Sequence, residues 1–172
     1  MILDKILKFQ KSIDIKFNDI EILKKCLIHK SFDSKYNNEK LEFLGDRVIG
    51  LVISKTLLKI YPDEKEGIID KKFANLVNKR MCKKIGENLK LKNYMSLGDS
   101  YKGMRRSDEK IISDCMEALI GAIYLDKGLD TTEKFILKNW SEFLVKSEFT
   151  IIDSKTKLQE YTLKKFKKLP IY

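Results

Sequence analysis

At 172 residues the chain is long enough for one domain with its own hydrophobic core and leaves little over for a second. Its 35 Lys and Arg against 25 Asp and Glu give a net charge of +10, which draws polyanions such as nucleic acid or an anionic membrane surface. A single histidine, His29, excludes zinc sites that need two imidazoles, and any Ser-His-Asp or Cys-His hydrolase would have to run through it.

Apolar residues recur at helical spacing along almost the whole chain. Ile2, Leu3, Ile6 and Leu7 predict a short amphipathic helix. A second starts near Asp19, with Ile22, Leu23, Cys26 and Leu27 on one side. Asn37 and Asn38 are N-cap residue types, predicting a long helix to about Ile60 that stops at Pro62. Another helix follows Gly67 and carries Phe73, Leu76 and Val77. Residues 93–108 read as a loop bearing Lys102, Arg105 and Arg106, which either touch phosphates or are simply solvated. A strongly apolar helix is predicted from about Glu109 to Leu125, ending near Gly128, and a last one from about Thr131 to Val145. No segment alternates like a strand. The fold class is all-α.

No apolar run approaches the roughly 18 residues of a spanning helix. The start, MILDKILKFQ, is broken by charge before a signal sequence could form. Cys26, Cys82 and Cys115 have no metal-site spacing and read as reduced, buried thiols. The chain therefore reads as a soluble, cytoplasmic protein with no membrane partner. Composition shifts near residue 147, after which Lys dominates; such a basic tail is ordinarily solvated.

Two groups of carboxylates stand out. On a helix, Glu39, Glu42 and Asp46 form a stripe about 60° wide, opposite the apolar stripe of Leu41, Leu44 and Val48. Phe43 falls beside the acids, on a side where an aromatic needs a partner surface. Such a stripe is either an ordinary solvated face or a cation site. Asp114 and Glu117 are the only charged residues between Ile111 and Leu125, and they point the same way. Burying them requires either a salt bridge from a neighbouring helix or a shared cation. Gly121 lies on their line and clears space there. Two facing acidic patches would suit Mg²⁺, a hard cation held by oxygen. An acidic metal pocket inside a basic protein suits phosphodiester hydrolysis.

These motifs, in this order, resemble the ribonuclease III family. NNEKLEFLGD is similar to the family signature NERLEFLGD, and HKSF resembles the His-x-Ser element before it. YPDEKEG resembles the Pro-x-x-x-x-Glu-Gly stretch, and ISDCMEALIGAIYLD the second acidic motif. DSKTKLQEYTLKKFKKLPIY resembles the opening helix of a double-stranded-RNA-binding domain.

The resemblance implies a helical ribonuclease III catalytic domain over residues 1–147. Residues 148–172 would be a linker and the start of an α-β-β-β-α RNA-binding domain, cut short and with correspondingly weaker, salt-sensitive RNA binding. It implies an endoribonuclease that cuts double-stranded RNA as a homodimer in RNA processing, such as that of rRNA precursors or mRNA. Metal-activated water would leave 5′-phosphate and 3′-hydroxyl ends, with Mg²⁺, or Mn²⁺ as a substitute, held by Glu42, Asp46, Asp114 and Glu117. Asp46 and Glu117 would be catalytic, Glu39 and Glu66 supporting acids, and Phe43 a dimer contact. Lys102, Arg105, Arg106, Lys155 and Lys157 would make weak RNA contacts. His29 matches a family position but reads as a packing residue. The alternative on this scaffold is a catalytically silent RNA-binding or ribosome-associated protein, against which the four retained carboxylates argue.

Overall fold

A computed structural model of the chain describes residues 2–99, 108–147 and 154–170. Its helices are α1 (Ile2–Ile13), α2 (Ile20–Cys26), α3 (Glu39–Ile60), α4 (Glu66–Val77), α5 (Lys79–Asn88), α6 (Asp108–Lys146) and α7 (Ser154–Phe166), with a 3₁₀ turn at Leu91–Asn93. Among the described residues there is no strand. Ile28 and Ser96 make one isolated parallel bridge, with Ser96 N donating to Leu27 O at 2.8 Å.

The centre of the fold is the first half of α6. Every residue from 111 to 123 is buried, because α2, α3 and α5 pack around it. Each fully buried Leu or Ile there contributes about 1.5–3 kcal/mol of apolar burial. Against it α3 places Leu41, Val48, Ile49, Val52, Ile53 and Leu57, while Leu44 of the expected stripe is only half-buried. The start of α3 is organised by Asn37, whose Oδ1 accepts from Glu39 N at 3.1 Å. Asn38 holds the N-cap position without a side-chain cap bond. Acidic Glu39 and Glu42 in the first turn suit the positive end of the helix dipole.

One helix lies beyond the sequence expectation. The helix expected after Gly67, carrying Phe73, Leu76 and Val77, is α4, and a further helix, α5, follows it, divided off at Asn78 (φ −73°, ψ 162°), whose side chain accepts from Met81 N at 2.9 Å and caps α5. The two helices expected on either side of Gly128 are both present, joined end to end within α6 at that glycine, whose backbone is non-helical (φ +75°, ψ −178°). That left-handed φ suits only glycine at low cost. Thr132 Oγ1 donates to Gly128 O at 2.7 Å and steadies the restart. The second half of α6 then buries Trp140, whose Nε1 donates to Leu76 O of α4 at 2.8 Å. Among the described residues no helix is long and apolar enough to cross a membrane.

Candidate active site

Close packing of α3 on α6 at Gly45 and Gly121 sets Glu42 of α3 opposite Asp114 and Glu117 of α6. One carboxylate oxygen from each of these three residues lies within 4.8 Å of the others. Asp114 and Glu117 are buried and Glu42 is half-buried. Asp114 Oδ1 is buried and accepts no hydrogen bond. No salt bridge neutralises the cluster, so the buried-ion-pair reading of Asp114 and Glu117 does not hold among the described residues.

Three carboxylates this close raise one another's proton affinity. Glu117 is pushed up to about 7, first by burial and then by the charges of Asp46, Asp114 and Glu42. Burial likewise raises Asp114, with Lys110, Lys79, His29 and Lys30 opposing it. Burial raises Glu42 too, followed by the charge of Asp114. Such a donor set, all hard oxygen with one buried oxygen left unpartnered, fits a divalent cation such as Mg²⁺.

The cluster opens onto a groove of about 570 Å³ lined by Glu39, Glu42, Phe43, Asp46, Arg47, Val77, Asn78, Lys79 and Glu117. Asp46 stands in this groove next to the cluster but outside it, in contact with Arg47 Nη1. Glu39 sits at the groove wall and is paired with Lys30 Nζ at 2.8 Å, which draws its carboxyl below the usual range. Glu66 is exposed at the first turn of α4 and is neither in the cluster nor on the groove. Phe43 is 64% exposed, with the Arg47 guanidinium 4.7 Å over its ring.

The family model described as Ribonuclease-III-like matches residues 19–144, which is most of the chain. The chain belongs to this family. It is 57% identical over 166 residues to Ribonuclease 3 of Pelagibacter ubique, covering 96% of this chain and 75% of that protein. It is 40% identical to Ribonuclease 3 of Leptospira interrogans, covering 96% of this chain and 70% of that protein. A crystal structure of the nuclease domain of ribonuclease III from Campylobacter jejuni matches with a TM-score of 0.71 at 34% identity, over 85% of this chain and 97% of that one. Dicer from Pichia stipitis, at 19% identity and a TM-score of 0.62, shares the fold.

Within this ribonuclease III fold the structure adds residues that the sequence pattern did not single out. Lys79, first residue of α5, lines the groove, placed there by the break at Asn78. Lys110 acts electrostatically on Asp114, four residues on; that i, i+4 spacing on a helix was a signal that could have found it. His29 is buried, with Ser31 N donating to its Nδ1 at 3.2 Å and Ser31 Oγ 2.8 Å from the same atom. It braces the turn before α3. Lys102, Arg105 and Arg106 lie outside the described residues, as do the side chains of Lys155 and Lys157.

Proposed function

We propose that the chain is an endoribonuclease that hydrolyses phosphodiester bonds of double-stranded RNA, leaving 5′-phosphate and 3′-hydroxyl ends, with Mg²⁺ held by Glu42, Asp114 and Glu117. The observation that carries this reading is the convergence of those three carboxylates, with Asp114 Oδ1 left unpartnered. A divalent ion bound there supplies a Lewis acid for phosphoryl oxygens and a means of acidifying water.

The chain's own residues do the rest. Glu117 must give up the proton it holds near neutral pH before it can ligate, and a nearby cation drives that loss. Asp46, in the groove beside Glu117, adds charge on the same side and is the fourth acid of the site. Lys30, Lys79 and Lys110, all within electrostatic reach of Asp114, attract the phosphate backbone to an otherwise acidic spot. Glu39 restrains Lys30, and Glu66 contributes from outside the groove.

A homodimer is supported by one face of α3. Phe43, Leu51 and Leu58 share it and are 64%, 58% and 63% exposed. In a second structure of the Campylobacter jejuni nuclease domain, structural flexibility lies in a region involved in dimer formation. Residues 1–147 are read as the catalytic unit, and 148–172 as a linker and the first helix of an RNA-binding domain, in which Lys155 and Lys157 would touch RNA weakly. Lys102, Arg105 and Arg106 are assigned the same weak role. Three buried free thiols suit the reducing cytoplasm, where such an enzyme would process rRNA precursors or mRNA.

The test is incubation of the protein with a long RNA duplex in Mg²⁺ and in EDTA. Shortening in Mg²⁺ alone supports the reading. Duplex that binds without shortening in either would leave a silent RNA-binding protein.

A further inference from the structure

Ser113 and Cys82 have no part in the cluster of carboxylates, yet both reach it. Each is fully buried, an unusual place for a hydroxyl unless it has a partner. Ser113 stands one turn before Glu117 on α6, and its Oγ donates to Glu117 Oε1 at 3.4 Å. A serine inside a helix commonly bonds back to a carbonyl of the preceding turn. Here its bond runs forward to an acid. Cys82 comes from α5, and its thiol is fully buried beside Glu117 and Ser113, its proton held firmly by burial and by the charges of Glu117 and Asp46. Helix α5 can bring it there because Gly86, one turn on, packs directly on Ile112 of α6, where a Cβ would lie 2.6 Å from Ile112 Cγ2.

Resting on the functional reading above, we propose that Ser113 and Cys82 are positioning residues for Glu117. Ser113 donates to its carboxylate and the Cys82 thiol packs beside it, both from the buried side, and so they hold its plane turned toward Glu42 and Asp114. Ligating carboxylates need such outer partners to fix their orientation. Neutral donors serve well because they strengthen on an ionised acceptor and add no competing charge. A lysine in the same place would neutralise Glu117 and weaken its hold on a cation.

The experiment is a Mn²⁺ titration by isothermal calorimetry on the full chain, for wild type, Glu117→Gln, Ser113→Ala, Cys82→Ala and the Ser113→Ala/Cys82→Ala double variant. The tightest Mn²⁺ site should vanish in Glu117→Gln and weaken about 10- to 100-fold in the double variant. The Mg²⁺ midpoint of duplex cleavage should move in parallel while KM for RNA stays put. Cys82→Ser and Ser113→Thr, which keep a donor, should restore wild-type affinity. A double variant that melts normally and binds Mn²⁺ as wild type does overturns the inference. If the double variant does not fold, Ser113→Ala decides alone, since alanine suits that helix, and wild-type affinity in it is equally fatal. Absence of any Mn²⁺ site in wild type that Glu117→Gln removes would bring down the functional reading itself, and this inference with it.

Discussion

Gly45 of α3 and Gly121 of α6 meet backbone to backbone. A Cβ on Gly45 would lie 1.7 Å from Glu117 O, and one on Gly121 would lie 2.2 Å from Leu41 O. Both obstacles are main-chain atoms, so no side-chain rotation relieves them. The acids at Glu42 and Glu117 face each other because these two helices touch at glycine. Gly45→Ala or Gly121→Ala should therefore push α3 from α6 and destabilise the fold by about 1–3 kcal/mol or more. Thermal melts by circular dichroism check the stability, and duplex cleavage should fall even at temperatures where the variant is folded. A variant that melts and cleaves like wild type would show that the helices have slack there.

Glu117→Gln separates charge from shape. It removes the acid that sits nearest to neutral titration while keeping its size and its ability to accept from Ser113. Cleavage should drop by more than the about 10- to 100-fold that loss of an outer partner costs. RNA binding by gel shift should be retained, since the basic surface is untouched. In EDTA at pH 8 the variant should melt higher than wild type, because one like charge has left a crowded cluster. Joint loss of binding and folding would instead assign Glu117 a structural role.

Stability without divalent ions should depend on pH in a defined direction. The folded protein holds a proton on Glu117 up to about pH 7, whereas a free glutamate releases it near 4.5. Between those values the native state binds more protons than the unfolded one, so stability falls as pH rises. The loss amounts to about 2 kcal/mol after allowing for screening at the groove. Divalent ions oppose the same repulsion. Scanning fluorimetry should show Mg²⁺ or Mn²⁺ raising the melting temperature more at pH 8 than at pH 5.5. Equal shifts at both values would place the ion away from Glu117.

Phe43→Ala should shift the protein from dimer toward monomer in light scattering while leaving the monomer folded. The side chain is 64% exposed, with the Arg47 guanidinium over its ring, so removing it leaves no cavity in the core. An unchanged oligomeric state would leave the α3 face with another use.

Much of this protein is legible in its amino-acid order. Helical periodicity is local chemistry, and it places α3 within a residue or two because an Asn-rich start, an apolar stripe and Pro62 all agree. The conflict between Asp114, Glu117 and their apolar helix is visible for the same reason: two charges amid buried side chains demand an explanation wherever the helix lies. Less legible is the split of α4 from α5, because Asn78 sits inside an unbroken helical pattern and only its capping bond to Met81 N ends one helix and starts the next.

The sequence by itself determined which residues carry charge, which faces are apolar and where helices other than α5 begin, since these depend on neighbours a few positions apart. Which acids meet was decided by tertiary structure. Spacing made Glu42 and Asp46 equals on α3, yet Glu42 joins Asp114 and Glu117 while Asp46 turns to Arg47 in the groove. Ser113 and Cys82 were invisible as a pair, coming from α6 and α5. Distances between helices are set by what their contact atoms allow. Here two glycines 76 positions apart allow backbone contact, and that contact assembles the acidic site.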